Sequence, residues 1–459
     1  MLLDPVPAGS GRRRTLAAAI VLAAAGVVVS CVRQPGRALD SLWAEDGSVF
    51  LTGAYAHRWW EQLLTPYNGY AAVYPRLVAV LAAHVPVAQA AALMALGGAL
   101  ACGVAVFLTV LGAEGHLPGL GSRAVLGVRV AAFPLAGQDL AASSCNAHFY
   151  LILATFWCLL WRPRGRPGRV LGTLVPLAAA ASDPLTGLLL PLGALRVLAP
   201  GPRSRVLPVV GLGVGLLAQT GTLLTPTLTV TPTHPSPARL LETWLYRGPD
   251  LALLGPEQAL RAGSVGLGVS GVVLAVAAAV RSRRPAGSLA WATAASSLVL
   301  FAVPIAIRWS AADDPFQQVT LRSRFTLLPA SLCLVVLAAA TAAAVAPAGG
   351  RGRLLGRAGV LALAVVVVVP CVAGLGSGRQ RVPSVSAQLP ALTASCASAT
   401  RAAGTRGDGA GGAGTADGVG GGGVGGVGAV GALHIAPGPA WTVLVPCARL
   451  VTTHRGVRQ

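Results

Sequence analysis

Residues 87–111 read VAQAAALMALGGALACGVAVFLTVL, a run with no charged side chain anywhere in it. Wound as a helix at about 1.5 Å per residue, a run of this length exceeds the roughly 30 Å of a bilayer's hydrocarbon core. Comparable apolar runs lie on both sides of it, at 15–32, 124–141, 147–161, 170–182, 184–199, 206–225, 263–280, 287–307, 325–346 and 358–375, with neighbours merging around Asp183-Pro184. Of the 459 residues, 54% are hydrophobic and only 11% are charged; the mean hydropathy is +0.68. A soluble domain carries about 25% charged residues, so an ordinary soluble globular protein is excluded. The pattern predicts an all-α polytopic membrane protein with about eleven transmembrane helices.

The formal charge of +20 has a pattern of its own. Every basic residue is arginine, as GC-rich coding favours, and the arginines fall between apolar runs instead of along one soluble face. Nucleic acid is therefore not an expected partner, despite a pI near 11.3. With Arg12–Arg14 placed in the cytoplasm, the alternate loops hold Arg123 and Arg129, Arg162–Arg169, Arg203 and Arg205, Arg281–Arg284, and Arg351–Arg357. Together with Arg196 at a helix end, this side holds 18 arginines against two acids, Asp4 and Glu114. The other side holds 17 arginines and 13 acids. Positive loops stay inside, so the N-terminus is expected in the cytoplasm and the C-terminus outside a bacterial plasma membrane. The run to Val32 is long for a signal core, which favours an uncleaved first helix over a secretory signal. The non-membrane parts, 33–86, 226–262, 308–324 and the tail from 376, all fall on the outer side.

The first outer loop, 33–86, opens with Trp43-Ala44-Glu45-Asp46-Gly47-Ser48. Glu45 and Asp46 are adjacent carboxylates near the membrane surface. Asp46 can serve as a helix N-cap that accepts the amides of Ser48 or Val49, as a catalytic group, or as both. Residues 48–64 place Val49, Phe50, Ala54, Trp60, Leu63 and Leu64 on a helical repeat, with Arg58, Trp59 and Trp60 suited to the headgroup layer. A turn follows at Thr65-Pro66-Tyr67-Asn68-Gly69-Tyr70, and then a second short apolar stretch, 71–85, containing Pro75-Arg76. Two interfacial helices around a polar turn are expected.

Four segments, WAEDGSVFL (43–51), PYNGYAAVYPRL (66–77), NAHFYLI (146–152) and RSRFTLLP (322–329), together resemble the GT-C superfamily of integral-membrane glycosyltransferases. More narrowly, they resemble a group of bacterial, especially actinobacterial, membrane proteins. The resemblance covers the architecture of 1–375, while the motifs themselves span some 35 residues. It implies transfer of a sugar from a polyprenyl-phosphate donor to an envelope glycan or protein acceptor at the outer face. Asp46 or Glu45 would be the general base, since a positioned carboxylate can deprotonate an acceptor hydroxyl. Asn68, Asn146 and His148 would contact sugar or acceptor. A lipid-phosphate leaving group needs cationic donors, and the arginine fork can grip two phosphate oxygens. Arg76, Arg308, Arg322 and Arg324 are the candidates, although arginines at helix ends also snorkel as anchors. Asp313 and Asp314 can bind a divalent ion or sugar hydroxyls, or bridge to Arg308 or Arg322. Asp183 is either a turn acid, as Pro184 favours, or a buried charge that demands a role.

Two other classes remain open: a transporter or flippase of lipid-linked glycans, and a non-catalytic envelope assembly protein. No phosphate loop, nucleotide fingerprint, hydrolase elbow or zinc spacing occurs. Gly211, Gly213 and Gly215 read as a small-residue helix-packing surface. In the extracytoplasmic tail, 376–459, residues 402–431 are a Gly-rich low-complexity insertion, flanked by an ordinary segment at 384–400 and by a strand pair within 432–451. Cys396 and Cys447 are expected to form a disulfide that closes this insertion into a loop.

Overall fold

The computed structural model is mostly helical, with a single two-stranded sheet among the described residues. It describes residues 12–33, 38–117, 119–163, 165–199, 203–223, 235–250, 286–307, 323–345, 349–376, 383–407, 430–435 and 441–451. Three helices are long and apolar enough to cross a membrane, Arg13–Val32, Val87–Gly115 and Ser288–Ile307. Other expected spans appear as shorter apolar helices, among them Ala147–Leu160 and Leu207–Thr222; the run 263–280 lies outside the described residues.

The shortfall in length has local causes. The run 124–141 is not one helix. Its helix begins earlier, at Leu120, and stops at Ala131 ahead of Pro134, whose ring and missing N–H do not suit a helix interior. Residues 133–146 then turn inside the protein with only the short helix Ala136–Asp139. Arg123 and Arg129, expected in an inner loop, lie within Leu120–Ala131 and are buried, so they no longer count as free loop charges.

The chain divides into two compact units. The first comprises 1–35, 64–74 and 96–379. In it Leu207–Leu217 packs along Arg166–Ser182, Ala286–Ile307 along Leu327–Val345, and Arg12–Val32 along Leu120–Ala131. Trp157, Tyr150, Phe156 and Phe301 fill the core between these helices. Where helices break, buried arginines collect the stranded carbonyls. Arg33 donates to the carbonyls of Phe133, Pro134 and Gly374. Arg196 donates through Nε to the Arg205 carbonyl at 2.6 Å and through Nη2 to that of Trp161 at 2.8 Å; Nη1 reaches Leu159. The last two carbonyls lie at the open end of Ala147–Leu160, a place where arginine caps a helix well.

The second unit comprises 36–63, 75–95 and 380–459. Val430–His434 and Thr442–Pro446 form the expected antiparallel hairpin, with Ala432 opposite Leu444. The helix Val385–Gly407 lies against the first strand and takes in the start of the expected insertion, most of which falls outside the described residues. Asp40 accepts the Ser386 amide at 2.8 Å, together with the Ser384 and Ser386 hydroxyls, at the start of that helix. Cys396 and Cys447 are disulfide-bonded, joining the helix to the end of the hairpin as the sequence indicated.

On the small-residue face the helices Leu207–Leu217 and Arg166–Ser182 pack backbone against backbone. A Cβ on Gly211 would collide with the Thr173 carbonyl oxygen, and one on Gly215 would sit 2.5 Å from that of Leu177. At Gly213 there is open space. Gly215→Ala is expected to lower stability by roughly 1–3 kcal/mol through overpacking, while Gly213→Ala leaves it unchanged or raises it slightly. Thermal unfolding of the two variants in detergent checks the contrast.

Candidate functional site

Four non-glycine residues have positive φ among the described residues: Ala44 (39°), Asn68 (48°), Ala72 (53°) and Ala142 (49°). Left-handed backbone is costly for alanine and persists where the surroundings enforce it, often at working sites. Three of the four lie inside the quoted segments around Glu45-Asp46 and Asn68–Arg76, and Ala142 lies four residues before Asn146.

In the second unit, Ala44 turns the chain into the π-helical turn Asp46–Leu51. The expected N-cap role of Asp46 is not the arrangement found. Asp46 is the first residue of the turn, and the Ser48 amide donates to the Ala44 carbonyl at 3.1 Å. Asp46 is 2% exposed, whereas Glu45 is only half-buried. Phe50, four residues on, is also buried, and the Arg76 guanidinium lies 5.4 Å from its ring centroid. Arg76 is itself 2% exposed, on the helix Val73–Ala83. A cation this well buried over an aromatic face is not a snorkelling anchor.

The expected interfacial helix 48–64 is broken in two. After Thr52–Ala56 the backbone extends at His57, and the chain resumes as Trp59–Leu64, where Glu61 accepts the Arg58 amide at 3.1 Å. The break lets Gln62 fold back and donate to the Phe50 carbonyl at 2.9 Å. Trp59 and Trp60 remain exposed, with Arg58 5.3 Å from the Trp60 ring. Burial pushes the Tyr55 hydroxyl up to about 12, against the opposing pull of Arg449, whose guanidinium lies 4.9 Å from that ring.

In the first unit, Tyr67 and Tyr70 exchange backbone hydrogen bonds across Asn68-Gly69, both at positive φ. This is the pairing expected of a type I′ turn, for which Asn-Gly is the preferred sequence. The exposed Asn68 is thus accounted for by its turn. The chain beyond, leading into the helix Val73–Ala83, is docked by side chains: Gln219 accepts the Ala71 amide at 2.8 Å, and Ser182 accepts that of Tyr74 at 2.8 Å.

His148 and Asn146 stand at the start of Ala147–Leu160, and both are buried. Asn146 donates to the Asp139 carbonyl at 2.8 Å, fixing the buried turns that precede the helix. His148 has Nδ1 2.8 Å from the Cys145 carbonyl and Nε2 3.3 Å from Asp183 Oδ2. Both ring nitrogens face acceptors, so the two bonds are complete only with a proton on each nitrogen or on the carboxyl. Tyr70 and Phe149 border the ring at centroid distances of 6.4 and 4.2 Å. Asp183 is a turn acid and also buried. Its Oδ1 accepts the Leu185 amide at 2.8 Å, capping the turn Pro184–Leu189. Its Asp-Pro context signalled the turn, but nothing local indicated the pairing with His148.

The structure thus gathers Asn146 and His148 with Asp183 and Tyr70 in one unit, and Glu45, Asp46 and Arg76 in the other. Arg308, Arg322, Asp313 and Asp314 lie outside the described residues, and Arg324 falls in the turn Ser323–Thr326. Among the described residues no group of three His, Cys, Asp or Glu side chains is placed to hold a metal ion. No protein-family model, curated protein or solved structure matches the chain.

Asp183→Ala removes both the cap and the partner of His148. It is expected to cost more than the roughly 0.5–2 kcal/mol of a lost cap alone, whereas Asp183→Asn, which can still accept from Leu185, costs less. Unfolding midpoints of the two variants measure the difference.

Proposed function

We propose that the chain is a GT-C-like integral-membrane glycosyltransferase that moves a sugar from a polyprenyl-phosphate donor to an envelope acceptor at the extracytoplasmic face. The observation that carries this reading is the buried carboxylate of Asp46, set in the same unit as the buried guanidinium of Arg76, which lies over Phe50 from the same turn as Asp46. Asp46 takes the proton of the acceptor hydroxyl. The freed oxygen attacks the anomeric carbon, the bond from that carbon to the phosphate oxygen breaks, and the phosphate leaves with the electron pair. Arg76 receives the charge that develops on the phosphate. Glu45, more open to solvent, assists by orienting the acceptor.

Asp46 is covered in this state. The strand Thr442–Pro446 lies against the Asp46–Leu51 turn, Leu444 donates its amide to Thr52 at 3.1 Å, and Val443 and Ile435 press on Gly47. Substrate reaches the carboxylate when the hairpin lifts.

A second reading, a transporter of lipid-linked glycans, is favoured by the His148–Asp183 pair, because ionisable groups buried among apolar helices often mark transport paths. It predicts movement of the intact lipid-linked sugar with no transfer.

Membranes supplied with radiolabelled polyprenyl-phosphate sugars separate the two. Asp46→Asn is expected to lower transfer by about 10²–10⁴-fold, the usual contribution of a general base, with a smaller loss for Glu45→Gln. Wild-type transfer by both variants contradicts the assignment.

A further inference from the structure

Where several helices of the first unit begin or end among arginines, they leave a cleft of about 430 Å³, a size that takes a small organic ligand or a segment of a larger one. The start of Arg12–Val32 contributes Leu16, the end of Val87–Gly112 contributes Phe107, and the start of Arg166–Ser182 contributes Leu171. Trp161 and Arg162, which follow the helix Ala147–Leu160, line it together with Glu114 from the turn Ala113–Gly115.

The cleft adjoins apolar surface. Leu16 and Ile20 are exposed on one flanking helix, and Val170 and Leu174 on the other. The first of these helices is among those long and apolar enough to cross a membrane. A hydrocarbon chain can therefore pass from a bilayer into the cleft along apolar side chains, without crossing water.

The charge around the cleft is positive in sum and does not rest on one side chain. Among the described residues Glu114 is the one carboxylate in the lining, and it acts electrostatically on Arg123. Arg162 is close enough to Arg196 to repel it, and Arg196 in turn meets the Trp161 carbonyl at 2.8 Å. Arg13 is exposed one turn before Leu16, and Arg166 and Arg169 are exposed on either side of the lining residues Pro167 and Gly168. A guest that answers both halves of this chemistry is an amphiphile, with a chain for the leucine and aromatic lining and a negative headgroup for the arginines. A small free anion gains nothing from the apolar lining, and a neutral lipid gains nothing from the arginines.

We propose that this cleft binds one anionic glycerophospholipid of the surrounding bilayer, with an acyl chain between Phe107, Trp161 and Leu171 and the phosphate at Arg162. Arg13, Arg166 and Arg169 supply the longer-range attraction. Asp46 and Arg76, the groups proposed to act on the sugar donor, belong to the other unit. The phospholipid is thus a bound partner that stabilises the helix junction, separate from the sugar carrier, and its binding holds whether or not sugar is transferred.

The test is thermal unfolding of the full chain in a neutral detergent, with phosphatidylglycerol or phosphatidylcholine titrated into the micelles. The expected result is a saturable rise in midpoint with phosphatidylglycerol and none with phosphatidylcholine. Arg162→Gln, at an exposed position, keeps the fold and weakens the apparent phosphatidylglycerol affinity about fivefold. Leu171→Trp fills the cleft and abolishes the rise; should it fail to fold, Arg162→Gln still decides. Equal rises with both lipids, or none with either, overturn the proposal. A phosphatidylglycerol response unchanged in both variants marks adsorption elsewhere on the arginine-rich surface and overturns it as well. A rise with a polyprenyl phosphate but none with phosphatidylglycerol overturns the choice of occupant.

Discussion

Helices that break inside an apolar core strand backbone carbonyls where no water can reach them, and closing those carbonyls is the constraint on which the first unit depends. Arginine meets it. Arg33 gathers the carbonyls at the Phe133-Pro134 break, together with that of Gly374 from far along the chain. Arg196 gathers Leu159 and Trp161 from the end of one helix and Arg205 from the following turn. Because these carbonyls are satisfied, the turns between Phe133 and Asn146 can stay buried and deliver His148 to Asp183. Neutral side chains finish the work: Gln219 and Ser182 take the amides of Ala71 and Tyr74 where the chain enters the helix Val73–Ala83.

The second unit solves a different problem. Its pieces come from the start and the end of the chain, and few apolar contacts are available to a two-stranded hairpin on its own. A disulfide spanning 51 residues ties the hairpin to the helix Val385–Gly407, and by the loop-entropy account such a link contributes about 4 kcal/mol. Asp40 caps the same helix from the other end of the sequence. The Asp46 turn is thereby held against a tethered strand whose pairing, among the described residues, is with Val430–His434.

Much of this was legible in the sequence because it rests on local chemistry. The long apolar runs, the glycine face at Gly211 and Gly215, the Asn68-Gly69 turn, the hairpin and the Cys396–Cys447 link each follow from residue type and spacing. Other features were not legible because they depend on partners remote in sequence. Hydropathy counts apolar residues but cannot see that Pro134 and Arg33 together make a break tolerable, so 124–141 read as one span. The positive-inside rule treats arginine as a loop marker, and so it misplaced Arg123 and Arg129, which the fold buries. The break at His57 answers to Gln62 folding back on Phe50, and the His148–Asp183 pair joins residues 35 apart in the chain. The motif segments contain the buried residues Asp46, Arg76, Asn146 and His148, while the neighbours of these residues were decided by packing.

Sugar transfer from a lipid carrier requires that the carrier bind before any bond changes, and Arg76 is the buried cation in the same unit as the buried carboxylate of Asp46. Native mass spectrometry of the detergent-purified chain, incubated with a polyprenyl-phosphate sugar, is the most direct measurement of that requirement. The proposed function predicts a stoichiometric lipid adduct on the wild type that is lost in Arg76→Gln and retained in Asp46→Asn. An adduct that survives equally in Arg76→Gln, or none on the wild type, would contradict it.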